Sequence, residues 1–381
     1  MTPLLLLVTL AFIVSVDLRI IAPVLPSISA SLGSTAGAVG LAMTTYSLAY
    51  GTGQLVYGPV SDRYGRLAVV RVAALGFSLC TVLSAISAVT WQFIVARLLA
   101  GAFAGAVIPL TLVYIADTFE YAERQIMLGR LAVVTSAGLA FSASIGGTVA
   151  HFVSWRLMLL GYSLLALVPV AFMFRLDPSR PPRRDGGPEG PAGFVDFLMD
   201  GRARFVYVSI FVEGFFLWGT VTYLGAFAVH RLGLDQFAVG LLIALFGVGT
   251  MVGGSLMALV RRRWSENALA GAGGALMALA FVALIPRGPW PVFAAAMLLL
   301  GLGFVALHTT LQVRGTEISP AARGKAFSLF AFSLFLGIAA GTAILGRLVD
   351  AGRDNTMLAL SALGLLVVGA ATAGVRRRSV A

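Results

Sequence analysis

Apolar stretches long enough to cross a bilayer, roughly 20 residues each, alternate with short polar breaks along the whole chain. Six of them fill the first half, at 4–26, 36–58, 67–89, 91–115, 127–151 and 155–175. Six more fill the second, at 204–229, 236–260, 267–286, 290–312, 324–349 and 355–375. Each is expected to be a helix. The stretch 176–203 cannot be one of them, because Asp177-Pro-Ser-Arg180-Pro-Pro-Arg183-Arg184-Asp185 and the Gly/Pro run after it break any apolar helix. The pattern predicts a six-helix bundle over 1–175, a linker over 176–203 and a second six-helix bundle over 204–381.

Composition decides the solvent. Of the 381 residues 59% are hydrophobic and 11% charged, where a soluble domain carries about 25% charged residues. Too little polar material remains to cover a water-facing surface, so the surroundings are lipid. Lipid admits only helices or closed barrels, since every backbone polar group must be paired internally. A barrel would show ~10-residue segments of alternating polarity, and the unbroken apolar runs exclude it. The fold class expected is an all-α membrane protein of twelve transmembrane helices in two pseudo-symmetric bundles. The opening Met1-Thr-Pro-Leu-Leu-Leu-Leu has no basic leader or small-residue cleavage site, so it is expected to begin the first membrane helix.

A net charge of +11 would suggest nucleic acid in a soluble chain, but here its placement speaks for topology. Arg63, Arg66, Arg71, Arg124, Arg130, Arg175, Arg180, Arg183, Arg184, Arg202, Arg204, Arg261 to Arg263, Arg314, Arg323, Lys325 and Arg376 to Arg378 fall on even-numbered breaks or the tail. Odd-numbered breaks hold only Arg156, Arg231, Arg287, Arg347 and Arg353, and Arg19 and Arg97 lie inside helices. Positive residues mark the cytoplasmic side, so both termini are expected there, with an even number of spans. The single cysteine, Cys80, and the scattered His151, His230 and His308 offer no disulfide framework or metal-ligand cluster. No cofactor, metal or nucleic-acid partner is expected.

The halves repeat weakly. Asp117 is followed by Arg124 after the fourth helix, and Glu317 by Arg323 after the tenth. Parallel half-repeats with a site between them are one way secondary transporters are built.

The most specific motif is Gly58-Pro-Val-Ser-Asp62-Arg63-Tyr-Gly65-Arg66 after the second helix. It resembles the G-x-L-a-D-R-x-G-R signature of the major facilitator superfamily, with Val60 and Leu67 as mild departures. The resemblance covers the whole chain and implies the twelve-helix fold, two bundles working by alternating access, a multi-pass place in the cytoplasmic membrane of a bacterium, and action as a monomer. It also implies that Gly58, Asp62, Arg63, Gly65 and Arg66 form a conformational latch, with Gly58 allowing close helix approach and Asp62 meeting a neighbouring helix N-terminus. The matching break after the eighth helix has Ala258 where the acid would stand.

Arg97-x-x-x-Gly101-x-x-x-Gly105 on the fourth helix resembles a second motif of the superfamily, found in proton-coupled drug exporters. A membrane-embedded arginine needs a partner or a role, and Asp17 on the first helix lies at a similar depth, ~10–14 Å from the same end. The resemblance makes Asp17 with Arg97 a candidate proton-coupling pair. A cation favours the charged acid and desolvation the neutral one, so a conformational change that alters either can load or release a proton. A static structural ion pair is the alternative. Arg19, two residues from Asp17, is expected to reach the membrane interface. The helix 5 run Gly138-x-x-x-Ser142-Ala143-x-x-Gly146-Gly147 resembles the antiporter motif with its central Gly-Pro replaced.

Glu213 on the seventh helix, the pseudo-repeat of the first, lies ~14 Å deep with no evident basic partner, and is the second candidate for proton or cationic-substrate binding. His308 is expected to be structural. Tyr46, Gln54, Phe215, Trp218, Tyr223 and Phe330 are the candidate cavity-lining residues. The function expected is proton-coupled efflux, by antiport, of a small amphipathic or apolar compound. Scarce embedded charge argues against a highly charged substrate. Uptake by a proton symporter or a facilitator is the alternative, supported by the altered helix 5 motif. A membrane enzyme or receptor is disfavoured, since no P-loop, Gly-x-Ser-x-Gly element or metal-ligand cluster is present.

Overall fold

A computed structural model describes residues 2–176, 192–286, 288–319 and 322–374. The centre of the expected linker, Arg287 and the basic tail with Arg376 to Arg378 lie outside the described residues. So do the side chains of Ala258 and Arg323.

Every stretch read as helical is helical. The first half runs α1 (Pro3–Ser31), α2 (Ala36–Tyr64), α3 (Arg66–Ile86), α4 (Thr90–Ala104) continuing as α5 (Val107–Thr118), α6 (Tyr121–Phe152) and α7 (Trp155–Phe174). After a short helix α8 (Ala192–Met199), α9 (Gly201–Glu213), a π-helical turn (Gly214–Trp218) and α10 (Gly219–Leu232) make one long rod. Then follow α11 (Gln236–Val260), α12 (Glu266–Leu284), α13 (Trp290–Glu317), α14 (Arg323–Asp350) and α15 (Asp354–Gly374). Among the described residues 11 helices are long and apolar enough to cross a membrane. The expected count was twelve. The one outside that set is α2, which has 29 residues but spends many of them on Gly, Ser, Thr and Tyr.

Local chemistry places the helix ends. Thr35, Ser154, Asp200, Asp235 and Ser265 accept backbone N–H groups as N-caps, each satisfying a donor that the first turn leaves free. Gly65, between α2 and α3, has φ 93, a conformation that side-chain-bearing residues adopt only under strain. It turns the chain sharply at one end of the bundle. Gly33, Gly233 and Gly352 make comparable turns at the other.

The two halves meet along α1 with α10, α2 with α14, and α6 with α11. Small residues let backbones touch. Gly147 faces Gly240, Gly225 faces Ala22, and Gly37 faces Gly346, so a Cβ at any of the three would overlap main chain across the seam. Gly138 and Gly146 lie against α1. The altered helix 5 motif therefore packs on two neighbours at once. The three contacts across the seam lie toward the Gly33 end. Toward the Gly65 end the halves part: Gly58 has nothing within 4 Å of where a Cβ would stand, and Asp62 is 64% exposed.

Candidate functional site

Asp17 and Arg97 meet, as their similar depths allow. Arg97 donates to both carboxylate oxygens, Nη1 to Oδ1 at 2.8 Å and Nη2 to Oδ2 at 3.0 Å, and both side chains are 0% exposed. A bidentate fork of this kind is the strongest common ion-pair geometry. The Tyr162 hydroxyl of α7 adds a third donor to Oδ1, and the Arg97 guanidinium lies 4.2 Å from the Tyr46 ring centroid. Both carboxylate oxygens of Asp17 are therefore occupied.

The second half carries its own pair on the corresponding helices. Glu213, the last residue of α9, is 0% exposed, and its Oε1 lies 3.0 Å from Nδ1 of His308 on α13. The expectation that Glu213 has no basic partner is corrected here. His308 stands 95 residues away in the sequence and reaches Glu213 only because α13 packs on α9. Its own role changes with that, from a lone histidine to the partner of a buried acid. Glu213 Oε2 is buried with no hydrogen-bond partner. The π-helical turn begins at the next residue, and such bulges interrupt helices where side chains are re-aimed for function.

Aromatic rings wall this pair. Trp218 stacks edge-on against Phe246 and Phe304, with centroids 5.1 and 5.3 Å apart. Phe304 lies 4.6 Å from His308, and Phe330 lies 6.1 Å from it. Of the cavity candidates, Trp218 and Phe330 line this wall. Phe215 is half-buried against Phe211 and Phe216, and Gln54 is half-buried on α2. Tyr46 is buried beside Arg97, its hydroxyl without a partner. Tyr223 sits in the seam near Gly40 and Gly346 and donates to the Thr342 carbonyl at 2.6 Å.

Arg19 does not reach the membrane interface. Its guanidinium carbon lies 3.3 Å from the Trp218 ring centroid in the opposite half. Two helical residues are ~200° apart, so with Asp17 turned into its own bundle, Arg19 is turned out of it, toward the other.

In the latch motif, Arg66 bonds Asp62 at 2.5 Å and Asp117 of α5 at 3.2 Å. Gly65 supplies the turn that brings α3 and its Arg66 back beside α2. Among the described residues no helix N-terminus bonds Asp62.

The model of the Major Facilitator Superfamily matches residues 7–342. The chain belongs to that superfamily. Its relatives include the uncharacterized MFS-type transporter YwfA of Bacillus subtilis, 24% identical over 334 residues, covering 86% of this chain and 80% of the relative. The puromycin resistance protein pur8 of Streptomyces alboniger is 29% identical over 363 residues, 94% of this chain and 64% of the relative. The class D tetracycline resistance protein of Salmonella ordonez is 27% identical, covering 82% of this chain and 80% of the relative. Among solved structures, the nucleoside transporter NupG superposes with TM-score 0.79 at 14% identity, covering 98% of each chain. The D-xylose-proton symporter does so with TM-score 0.72 at 18% identity, covering 95% of this chain and 96% of the other. These two show the fold. This member of the Major Facilitator Superfamily is a multi-pass membrane transporter and not an enzyme.

Sequence reasoning missed Tyr162, the partnership of His308 with Glu213, and the reach of Arg19 across the seam. The only available signal for the second was the half-repeat, which maps the first helix onto the seventh and the fourth onto the tenth.

Proposed function

We propose that this transporter is a proton-coupled exporter of a small amphipathic or apolar compound, working by alternating access in the cytoplasmic membrane of a bacterium. It acts as a monomer, α2 is its twelfth span, and both termini are cytoplasmic. The basic residues favour that orientation, because Arg63, Arg66, Arg71, Arg124, Arg130 and Arg261 to Arg263 belong to the Gly65 end. The deviation of α2 from a lipid-facing composition fits a helix whose glycines and tyrosines face protein on α4 and α14.

One observation carries the coupling: each half holds a buried acid paired with a base on equivalent helices, and the two pairs differ in saturation. Asp17 accepts three hydrogen bonds, which leave neither of its oxygens open. Glu213 shares one with a half-buried histidine, whose ring nitrogen donates or accepts according to its tautomer, and its Oε2 has no partner. A proton can join the Glu213–His308 pair or leave it without dismantling a bidentate ion pair. Glu213 is thus the carrier, and Asp17 with Arg97 holds α1 on α4. Resistance proteins among the relatives favour the export direction.

The test is proton release from detergent-purified protein when candidate compounds are added, with wild type beside Glu213→Gln and Asp17→Asn. Release in wild type that disappears in Glu213→Gln supports the reading. Active transport retained in both variants would sink it, and a compound that binds without proton release would indicate uptake or facilitation instead.

A further inference from the structure

We infer that Arg19, Tyr46 and Trp218 form the polar end of the substrate site, and that the substrate is a monovalent organic anion with a flat apolar body. The inference deepens the transport reading and rests on it. Five ionisable side chains lie in the central part of the bundle: Asp17, Arg19, Arg97, Glu213 and His308. Four of them are consumed in two pairs. Asp17 offsets Arg97, and Glu213 takes His308 as its partner through Oε1. Arg19 is left over. No carboxylate pairs with it among the described residues, its Nε is buried and unpartnered, and its guanidinium lies over the face of Trp218. A ring face offsets only part of what withdrawing a guanidinium from water costs. The Tyr46 hydroxyl, buried and without a partner at hydrogen-bond distance, lies within electrostatic range of both Arg19 and Asp17. Two unsatisfied donors, one of them on a guanidinium that no carboxylate pairs, therefore converge where α1, α2 and the π-helical turn meet. An acidic group completes that set. A cationic group would add a second like charge to it. The rings behind Trp218, Phe246 and Phe304, supply an apolar wall for the rest of the molecule.

The probes are 2-naphthoate, 2-naphthamide and 2-naphthylmethylammonium, which share one ring system and differ in charge. Binding is read from ligand-induced thermal stabilisation of the purified protein. Naphthoate is expected to bind at least tenfold more tightly than the amide, and the ammonium compound more weakly still. Arg19→Gln is expected to abolish that preference, Arg19→Lys to keep part of it, and Tyr46→Phe to lower naphthoate affinity several-fold. Unliganded melting temperatures identify any variant that fails to fold, and Arg19→Lys keeps the charge if Arg19→Gln is one. Equal binding of the three probes, no binding of naphthoate, or a carboxylate preference that survives in Arg19→Gln overturns the inference. Anion preference without proton release would instead overturn the coupling mechanism and leave this site standing.

A different observation carries a second proposal. We propose that Asp350 is the latch that closes the Gly33 end. It ends α14, and its carboxylate accepts from the Gly37 backbone N–H at 2.7 Å and from the Thr35 hydroxyl at 2.8 Å, at the start of α2. A carboxylate on free N–H groups at a helix N-terminus is favourable through both hydrogen bonds and dipole. Gly37 has to be glycine, since a Cβ there would collide with the Asp350 carboxylate and the Gly346 carbonyl. The two helices are matched, 29 and 28 residues long, and antiparallel, and each bears an acid near its last turn, Asp62 and Asp350. Asp350 is docked while Asp62 is 64% exposed. Each helix thus bears an acid near its C-terminal end, and Asp350 is the one seen docked on the other helix.

The test uses a cysteine at Thr44, one face of the seam, and a maleimide added to purified protein in detergent. Asp350→Leu and Gly37→Ala are expected to speed labelling of Thr44→Cys several-fold, and Asp62→Leu is not. Unchanged labelling in both seam variants, or an equal rise in Asp62→Leu, overturns the latch.

Discussion

A buried charge is tolerated only in company, and Arg97 shows how strictly. Removing its head by Arg97→Gln leaves Asp17 with a single donor in a water-free site, a loss of about 3–5 kcal/mol by analogy with other broken buried pairs. The double variant Asp17→Asn/Arg97→Gln is expected to be more stable than Arg97→Gln alone, since no unpaired charge remains. Melting temperatures of the three proteins in one detergent check this, and additive losses would show that the two residues do not act as a pair. Tyr162→Phe deletes one donor and keeps the ring, so a smaller loss of ~1 kcal/mol is expected. Asp17 and Arg97 were legible because charges in an apolar run stand out. Tyr162 was not, since a tyrosine in a membrane helix is common at interfaces and carries no sign of where its hydroxyl points.

Helix against helix, the decisive quantity is how closely two backbones approach. At Gly101 on α4 a Cβ would run into the backbone of Tyr46 on α2, while at Gly161 on α7 it would meet nothing within 4 Å. Gly101→Ala must push α2 away, carrying Tyr46 off the Arg97 guanidinium, and is expected to cost ~1–3 kcal/mol as overpacking. Gly161→Ala is expected to be neutral or to stabilise by up to ~1 kcal/mol through helix propensity. The comparison of their thermal midpoints checks the pair. Gly65→Ala belongs with the first, at about 1–2 kcal/mol, because φ 93 there strains any residue with a Cβ. The sequence announces all these glycines alike. Which of them is indispensable depends on the neighbour, and the neighbour belongs to another helix.

At the scale of the molecule, the first and second halves of the chain meet toward the Gly33 end, and the alternating access proposed above requires that joint to open. Thr44 and Thr342, 2.7 Å apart between hydroxyls on opposite halves, offer a direct test. Oxidation of Thr44→Cys/Thr342→Cys is expected to stop transport in proteoliposomes, and a reductant to restore it. Transport that continues with the bridge formed would mean that the halves need not part here. The native Cys80 is buried and lies on α3, away from the seam.

The residues alone determined the solvent, the helices and their order, because the energy of placing each side chain in lipid or water is local and adds along the chain. They also marked Asp17, Arg97 and Glu213 as costly enough to matter. Only the tertiary structure decided who answers each charge. His308 meets Glu213, Asp350 meets the start of α2, and Arg19 meets a ring rather than an acid. Such pairings span up to 315 residues and depend on the rotation of each helix about its own axis. That rotation is set by the packing of every neighbour at once, and no single apolar stretch records it.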